Sequence, residues 1–302
     1  MAGEPPLLSS EDVRRLERLS IASLDAVEAG LTGQRQGPAR MAAGLEFAEH
    51  RRYTPGDDLR RIDWNVYGRL RELLVKTAPS ESRIWLSEMI DVSRSMDSGN
   101  PNKLWYARRL AALLGTVALL RADSVQVHVL SDGDSIAGGR LDAAGMLSVL
   151  AQEVARLPTG TGTGLARSVA RSRAAGERTE LGILISDCLV AFADLQGALS
   201  QLSKTARSAV LVHVLDEEEG RAGPTGGVEL TDRETGEQLR TLVTDELRGR
   251  LAERYEQFRA RTEAACRDAG VHYLAAPTSV DPLELLLEAA RTGRLLRSAT
   301  VA

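Results

Sequence analysis

From residue 83 onward, short apolar runs alternate with longer helix-forming segments, and this alternation restricts the fold more than any other feature of the chain. Two of the runs, LGILIS at 181–186 and AVLVHVL at 209–215, are apolar at almost every position, which is typical of strands covered on both faces. Strands that alternate with helices form parallel sheets with helices on both sides. The sequence therefore predicts an α/β protein with a doubly wound, mostly parallel, Rossmann-type sheet.

The pattern before this domain is different. Residues 11–30 carry apolar side chains at helical spacing, and a serine before them can cap an amphipathic helix. Further on, TPGD at 54–57 suits a type II turn, so short strands and a hairpin are expected around it. We therefore assign 1–82 to an N-terminal helix and a β-rich extension, and 83–302 to the main domain. Within the main domain, residues 216–242 are predicted to form an inserted β-hairpin.

Composition excludes several classes of function. The chain has 302 residues and a net charge of −4, with 43% hydrophobic and only 4% aromatic residues. This charge gives no general attraction to nucleic acid, and the few aromatics argue against a surface that stacks bases. The longest apolar run, 110–120, is shorter than the ~20 residues that span a bilayer, and no signal-peptide pattern is seen. We expect a cytoplasmic protein with no transmembrane segment that binds no nucleic acid.

Polar residues are concentrated where predicted strands end. Asp91, Ser93 and Ser95 follow the run RIWLSEMI, Asp187 follows LGILIS, and three threonines lie in the Gly-rich loop 158–164. Ligand sites of open α/β sheets lie at the carboxyl ends of the strands, so these side chains are expected to meet. All of them offer oxygen, which favours Mg²⁺, Mn²⁺ or Ca²⁺ over zinc. Two carboxylates leave at least one coordination position for water or for an acidic residue of a partner.

The motif DVSRSM resembles the Asp-x-Ser-x-Ser element of the metal-ion-dependent adhesion site in von Willebrand factor type A domains. The resemblance implies a von Willebrand factor A-like fold and a Mg²⁺ site. The implied ligands are Asp91, Ser93, Ser95, Thr163 in TGTGL and Asp187 in ISDC.

The upstream stretch RRYTPGDDLRRIDWNVYGRLRELLVK, residues 51–76, resembles the segment that defines the bacterial family known as domain of unknown function 58. Members of that family have a von Willebrand factor A-like core and are associated with MoxR-type AAA+ ATPases. The resemblance implies a metal-dependent protein-interaction module that works as an adaptor in complex assembly or maturation, rather than an enzyme. The second loop departs from the family pattern, because Gly164 stands where an acidic residue is common.

The same upstream stretch is rich in charged side chains that could dock a partner. The candidate set is Arg51, Arg52, Asp57, Asp58, Arg60, Arg61 and Asp63. An alternative is that these residues lock the turn through Arg–carboxylate pairs, which are bidentate and selective in geometry.

Two other functions stay open. A metal-dependent hydrolase, acting on phosphoesters or as a nuclease, needs a base or nucleophile beside the metal, and the sequence places none there. A structural scaffold with a vestigial metal site would keep the fold and bind no ion. The loop 158–164 lacks the Gly-Lys-Ser/Thr ending of a phosphate-binding loop. We expect His128, His213 and Cys188 to be buried structural residues rather than catalytic groups.

Overall fold

A computed structural model describes most of the chain, and the fold is given for those residues alone. The described residues are 6–21, 49–53, 62, 64, 67–68, 71–77, 83–159, 162, 164–172, 179–221, 226–231, 238–292 and 295–298. The chain divides into two compact units, one of Met1–Gly33 with Ile84–Ala302 and one of Gln34–Arg83. The N-terminal helix, which the sequence grouped with the β-rich extension, thus belongs by its contacts to the larger unit.

The elements of the fold are named in chain order. The described strands are β1 (Leu19–Ile21), β2 (Glu49–Arg52), β3 (Leu74–Thr77), β4 (Trp85–Asp91), β5 (Ser124–Ser131), β6 (Asp134–Ala137), β7 (Thr179–Ser186), β8 (Ala206–Leu215), β9 (Gly226–Thr231), β10 (Gln238–Val243), β11 (His272–Pro277) and β12 (Leu296–Ser298). The described α-helices are α1 (Ser10–Leu16), α2 (Lys103–Leu120), α3 (Leu147–Ala155), α4 (Leu165–Arg171), α5 (Phe192–Thr205), α6 (Asp245–Ala269) and α7 (Pro282–Thr292). Short 3₁₀ turns cover Arg94–Met96, Ala144–Met146 and Glu217–Gly220.

The main sheet has the strand order β11-β8-β7-β4-β5-β6. Adjacent strands in this sheet run parallel, except that the edge strand β6 is antiparallel to β5. Strand β4 comes first along the chain and lies in the centre, and its seven residues are all buried. The strand order therefore changes direction at β4, which places the carboxyl ends of β4 and β7 side by side at the switch point of the sheet.

Helices cover the sheet on both faces, as the apolar strands require. In β7, Ile183 and Ile185 enter one core, which also holds residues of α2, α3 and α7. Leu184 points to the opposite face, where it joins residues of α4, α5 and the C-terminal part of α6. The predicted doubly wound, mostly parallel α/β fold is confirmed.

The N-terminal helix is shorter than predicted. Ser9 caps α1: its hydroxyl oxygen accepts a hydrogen bond from the Asp12 amide, and the Asp12 carboxylate accepts one from the Ser9 amide. This is the reciprocal pattern expected of a serine cap. The helix ends at Leu16, and β1 then pairs antiparallel with β12 near the other end of the chain. The prediction of one helix over 11–30 is wrong for residues 17–21, because this long-range pairing and a bond from Arg121 to the Leu19 carbonyl override the local pattern. Residues 22–30 lie outside the described chain.

The smaller unit contains an antiparallel pair of strands. Strand β2 pairs with β3 in a register that joins Arg52 to Leu74, and the Tyr53 amide donates to the Leu73 carbonyl. The sequence predicted short strands and a hairpin in this part of the chain, and the described residues contain this one antiparallel pair. The TPGD turn itself lies outside the described residues.

Strands β9 and β10 form a separate two-stranded antiparallel ribbon between β8 and α6, within the segment predicted as an insertion. Among the described helices, none combines the length and apolar character needed to cross a membrane.

Candidate metal centre

The first part of the site is the turn that follows β4. Asp91 is the last residue of this buried strand, and its Oδ1 accepts a hydrogen bond of 2.9 Å from the Ser93 amide. Its Oδ2 accepts a bond of 2.7 Å from the hydroxyl of Ser186 on the neighbouring strand. The Ser93 and Ser95 hydroxyls lie 3.0 Å apart, where Ser93 precedes the 3₁₀ turn Arg94–Met96 and Ser95 lies within it. The turn thus brings one carboxylate and two hydroxyls together at the carboxyl end of β4.

The second part follows β7. Asp187 accepts a bond of 3.2 Å from the Ser95 hydroxyl at Oδ1, and the Leu189 amide donates to the same oxygen at 3.1 Å. A continuous chain of polar contacts therefore joins Asp91, Ser93, Ser95 and Asp187. These four predicted residues converge because β4 and β7 pair directly and in parallel. Thr163, the fifth predicted ligand, lies outside the described residues.

The surroundings of Asp91 disfavour its charged form. Burial and the neighbouring charge of Asp187 raise the pKa of Asp91 to about 6, although hydrogen bonds from Ser186 and Ser93 act in the opposite direction. Among the described residues, no three His, Cys, Asp or Glu side chains are grouped so as to hold a metal ion. A cation bound here would therefore depend on hydroxyl oxygens as well as carboxylates, which is the donor chemistry of Mg²⁺ and similar hard ions.

A small cavity adjoins Asp91 and has room for about one water molecule. It is lined by Asp91, Leu130, Ser131, Asp132, Gly162, Gly164, Leu165, Ser168 and Val190. The glycines on either side of Thr163 thus border the same space as Asp91. Asp132 adds a carboxylate that the sequence analysis did not select, although it also follows a strand, in the two-residue turn between β5 and β6.

Gly164 owes its identity to a close backbone approach. Its φ is +145°, which side chains rarely allow, and a Cβ at this position would lie 2.8 Å from the backbone nitrogen of Gly133. An acidic residue at this position would need the turn between β5 and β6 to shift. The glycine therefore allows the backbone at residue 164 to lie close against that turn.

Gly164→Ala should lower the free energy of unfolding by about 1–3 kcal/mol, because it adds both backbone strain and a contact with Gly133. Gly249→Ala is the matched control, since Gly249 lies within the exposed part of α6 with nothing near its Cβ position. That control should raise stability by about 0.5–1 kcal/mol. Chemical denaturation measures both values, and a neutral Gly164→Ala would show that the loop adapts freely.

The N-terminus of α4 does not provide an anion site. The Asp194 carboxylate on α5 accepts hydrogen bonds from the Leu165 and Ala166 amides at 2.9 and 3.1 Å. These amides would face a phosphate in a nucleotide-binding loop, but here a carboxylate of the protein already occupies them. The geometry agrees with the interpretation of 158–164 as a loop that does not bind nucleotides.

Lys103 is the main residue of the site that sequence reasoning missed. It is fully buried in the first turn of α2, and its Nζ lies 2.6 Å from Asp187 Oδ2 and also contacts Glu219 Oε1. Burial lowers the pKa of Lys103, but the charges of Asp187 and Glu219 outweigh burial, so the net pKa is raised and the side chain is an ammonium. A signal was present: Lys103 is one of three lysines in the chain and opens a mostly apolar helix.

His213 and Cys188 are buried beside the site, as expected. The His213 ring lies 3.0 Å from the Asp187 carbonyl through Nε2 and 2.9 Å from the Tyr273 hydroxyl through Nδ1. Burial lowers the pKa of His213 to about 4 and raises that of the Cys188 thiol well above its usual value. A neutral, fully bonded imidazole and a protonated thiol are structural groups rather than a base and a nucleophile.

The charged set of the upstream stretch cannot be placed. Asp57, Asp58, Arg60, Arg61 and Asp63 lie outside the described residues. Only the backbone of Arg51 and Arg52 is described, as part of β2. Partner docking by these residues stays a prediction.

Similar proteins are found in mycobacteria. The uncharacterized protein Rv1480 of Mycobacterium tuberculosis (strain ATCC 25618 / H37Rv) is 29% identical over 250 residues, which cover 79% of this chain and 76% of that protein. The uncharacterized protein Mb1516 of Mycobacterium bovis shows the same identity and coverage.

Similarity to solved structures is weak. BatB, a conserved hypothetical protein from Bacteroides thetaiotaomicron, is 16% identical with a TM-score of 0.38, covering 69% of this chain and 99% of that chain. The VWA domain of SpRpn10 is 11% identical with a TM-score of 0.40, covering 73% and 100%. The family described as "Protein of unknown function DUF58" matches residues 49–262, the greater part of the sequence. The chain therefore belongs to the DUF58 family.

Proposed function

We propose that this protein is a metal-dependent protein-interaction module. In this proposal Asp91, Ser93, Ser95, Thr163 and Asp187 hold Mg²⁺, with Mn²⁺ or Ca²⁺ as alternatives. The observation that carries the proposal is the chain of hydrogen bonds of 2.9–3.2 Å that links Asp91 to Asp187 through Ser93 and Ser95 at the switch point of the sheet. The ion would supply positive charge between two buried carboxylates, which the direct pairing of β4 with β7 places close together.

The partner is expected to offer an Asp or Glu. The described site residues are almost completely buried, so only a narrow group such as a carboxylate could reach a cation there. Leu189, two residues after Asp187, is more than one-third exposed and could give the partner an apolar contact beside the ion. The family resemblance suggests a MoxR-type AAA+ ATPase as the partner and complex assembly or maturation as the setting.

A structural scaffold with a vestigial metal site is the second candidate, and one observation favours it. The ammonium of Lys103 already neutralises part of the charge of Asp187, which a bound ion would otherwise do. A hydrolase receives no such support, because the His and Cys beside Asp187 are bonded or protonated structural groups.

Two measurements test the proposal. In calorimetric titration, Mg²⁺ or Mn²⁺ should bind to the wild type, and Asp91→Ala should lose binding by about tenfold or more, because it removes one of two carboxylates. In a pull-down with a MoxR-type ATPase of the same genome, capture should be lost in chelator and restored by Mg²⁺. It should also be absent in Asp91→Ala and Thr163→Ala. Equal metal binding by wild type and Asp91→Ala would contradict the metal site, and undiminished capture in chelator would contradict the bridging role.

A further inference from the structure

Lys103 and a divalent ion would compete for the same carboxylate. The two oxygens of Asp187 face different groups: Oδ1 accepts from the Ser95 hydroxyl, on the side of the proposed metal ligands. Oδ2 lies 2.6 Å from Lys103 Nζ. One carboxylate thus lies between a fixed ammonium and the place proposed for the ion.

We infer that Lys103 is a built-in counter-charge that weakens the site for a free divalent ion and makes metal retention depend on an acidic residue of the partner. The inference rests on the proposed function. The ammonium neutralises part of the charge of Asp187. It also repels a second cation at short range, because water screens charges poorly in these buried surroundings. A carboxylate of the partner would restore the missing negative charge, and the partner and ion would then strengthen each other's binding by the same factor.

Glu219 keeps Lys103 in this position. Its carboxylate accepts from the same ammonium, and its side chain is about 23% exposed, whereas that of Asp187 is 1% exposed. The turn that carries Glu219 is itself fixed, because Asp216 accepts from the Glu218 amide and its carbonyl accepts from the Tyr255 hydroxyl. Lys103 is therefore held between two carboxylates rather than free to turn away when an ion arrives.

The test is calorimetric titration of Mg²⁺ and of Mn²⁺ into the purified chain without any partner. Lys103→Met should bind the ion at least about tenfold more tightly than wild type, because a full positive charge is removed beside a proposed ligand. The double variant Lys103→Met, Glu219→Gln removes one positive and one negative charge together and therefore preserves the net charge. It provides the test if the single variant fails to fold. Lys204→Met removes the same charge from an exposed position on α5 and should match wild type. Far-UV circular dichroism verifies that each variant is folded.

Each outcome separates this inference from the proposed function. Tighter binding in both Lys103 variants supports the inference, and it does so even if the wild type binds no ion, in which case the metal dependence of the proposed function fails. Equal or weaker binding in both Lys103 variants overturns the inference while wild-type binding keeps the proposed metal site. Absence of binding in every chain overturns both.

Discussion

Replacing Lys103 by Met should lower the free energy of unfolding by about 3–5 kcal/mol when no divalent ion is present. The ammonium is fully buried, and its removal leaves Asp187 buried without a counter-charge. Urea denaturation in the presence of a chelator measures the change. Lys204→Met, at an exposed position, should change stability by no more than about 0.5 kcal/mol.

A second variant identifies the cause. Lys103→Met combined with Asp187→Asn should recover part of the loss, because no buried negative charge then remains at that position. If Lys103→Met costs less than about 1 kcal/mol, or if the double variant is the least stable of the three, the buried ion pair does not carry the stability assigned to it.

Glu88 should make the protein less stable as pH rises. This residue lies in the middle of β4, is fully buried, and neither of its carboxylate oxygens has a hydrogen-bond partner within the described residues. Burial raises its pKa well above the ordinary value of 4.5. Above that ordinary value the unfolded chain loses the proton while the folded chain keeps it, so stability falls by up to about 1.4 kcal/mol per pH unit until the raised pKa is passed.

Glu88→Met should therefore be more stable than wild type at pH 8, with a smaller difference at pH 5. Glu88→Gln should likewise lose the pH dependence, although its buried amide keeps a cost at every pH. Glu246→Gln, on the exposed first turn of α6, is the control and should follow the wild-type slope. The test is the denaturation midpoint measured at several pH values. If the midpoint changes with pH in the same way for wild type and Glu88→Met, the Glu88 carboxyl is ionised in the folded chain and the prediction is wrong.

Part of the main sheet was predictable because the runs 181–186 and 209–215 are apolar at almost every position. Runs such as 181–186 allow few interpretations. Pairings between distant segments could not be read in this way. Nothing in the local pattern around Leu19 indicates that β1 pairs with β12, because the partner strand supplies the reason for its conformation.

The candidate site shows the same division. Asp91, Ser95 and Asp187 were predicted to meet, since each follows a strand and parallel strands end at one edge. Lys103 was missed because its position in the first turn of a helix suggests solvent, and only the tertiary fold buries it against Asp187. Asp132 was missed although Asp-Gly is a strong signal for a two-residue hairpin turn, such as the one that joins β5 to β6.

The separation of Lys103 from Asp187 along the chain, 84 residues, also affects how the protein is made. A ribosome adds about 5–20 residues per second, so the lysine leaves it roughly 4–17 seconds before its counter-charge. During that interval, closing α2 over β4 would bury an ammonium with no carboxylate from β7 to meet it, which is costly. We therefore expect packing of α2 against β4 to become favourable only after β7 has been made. The charge pair would then couple the two halves of the nascent domain into one folding step.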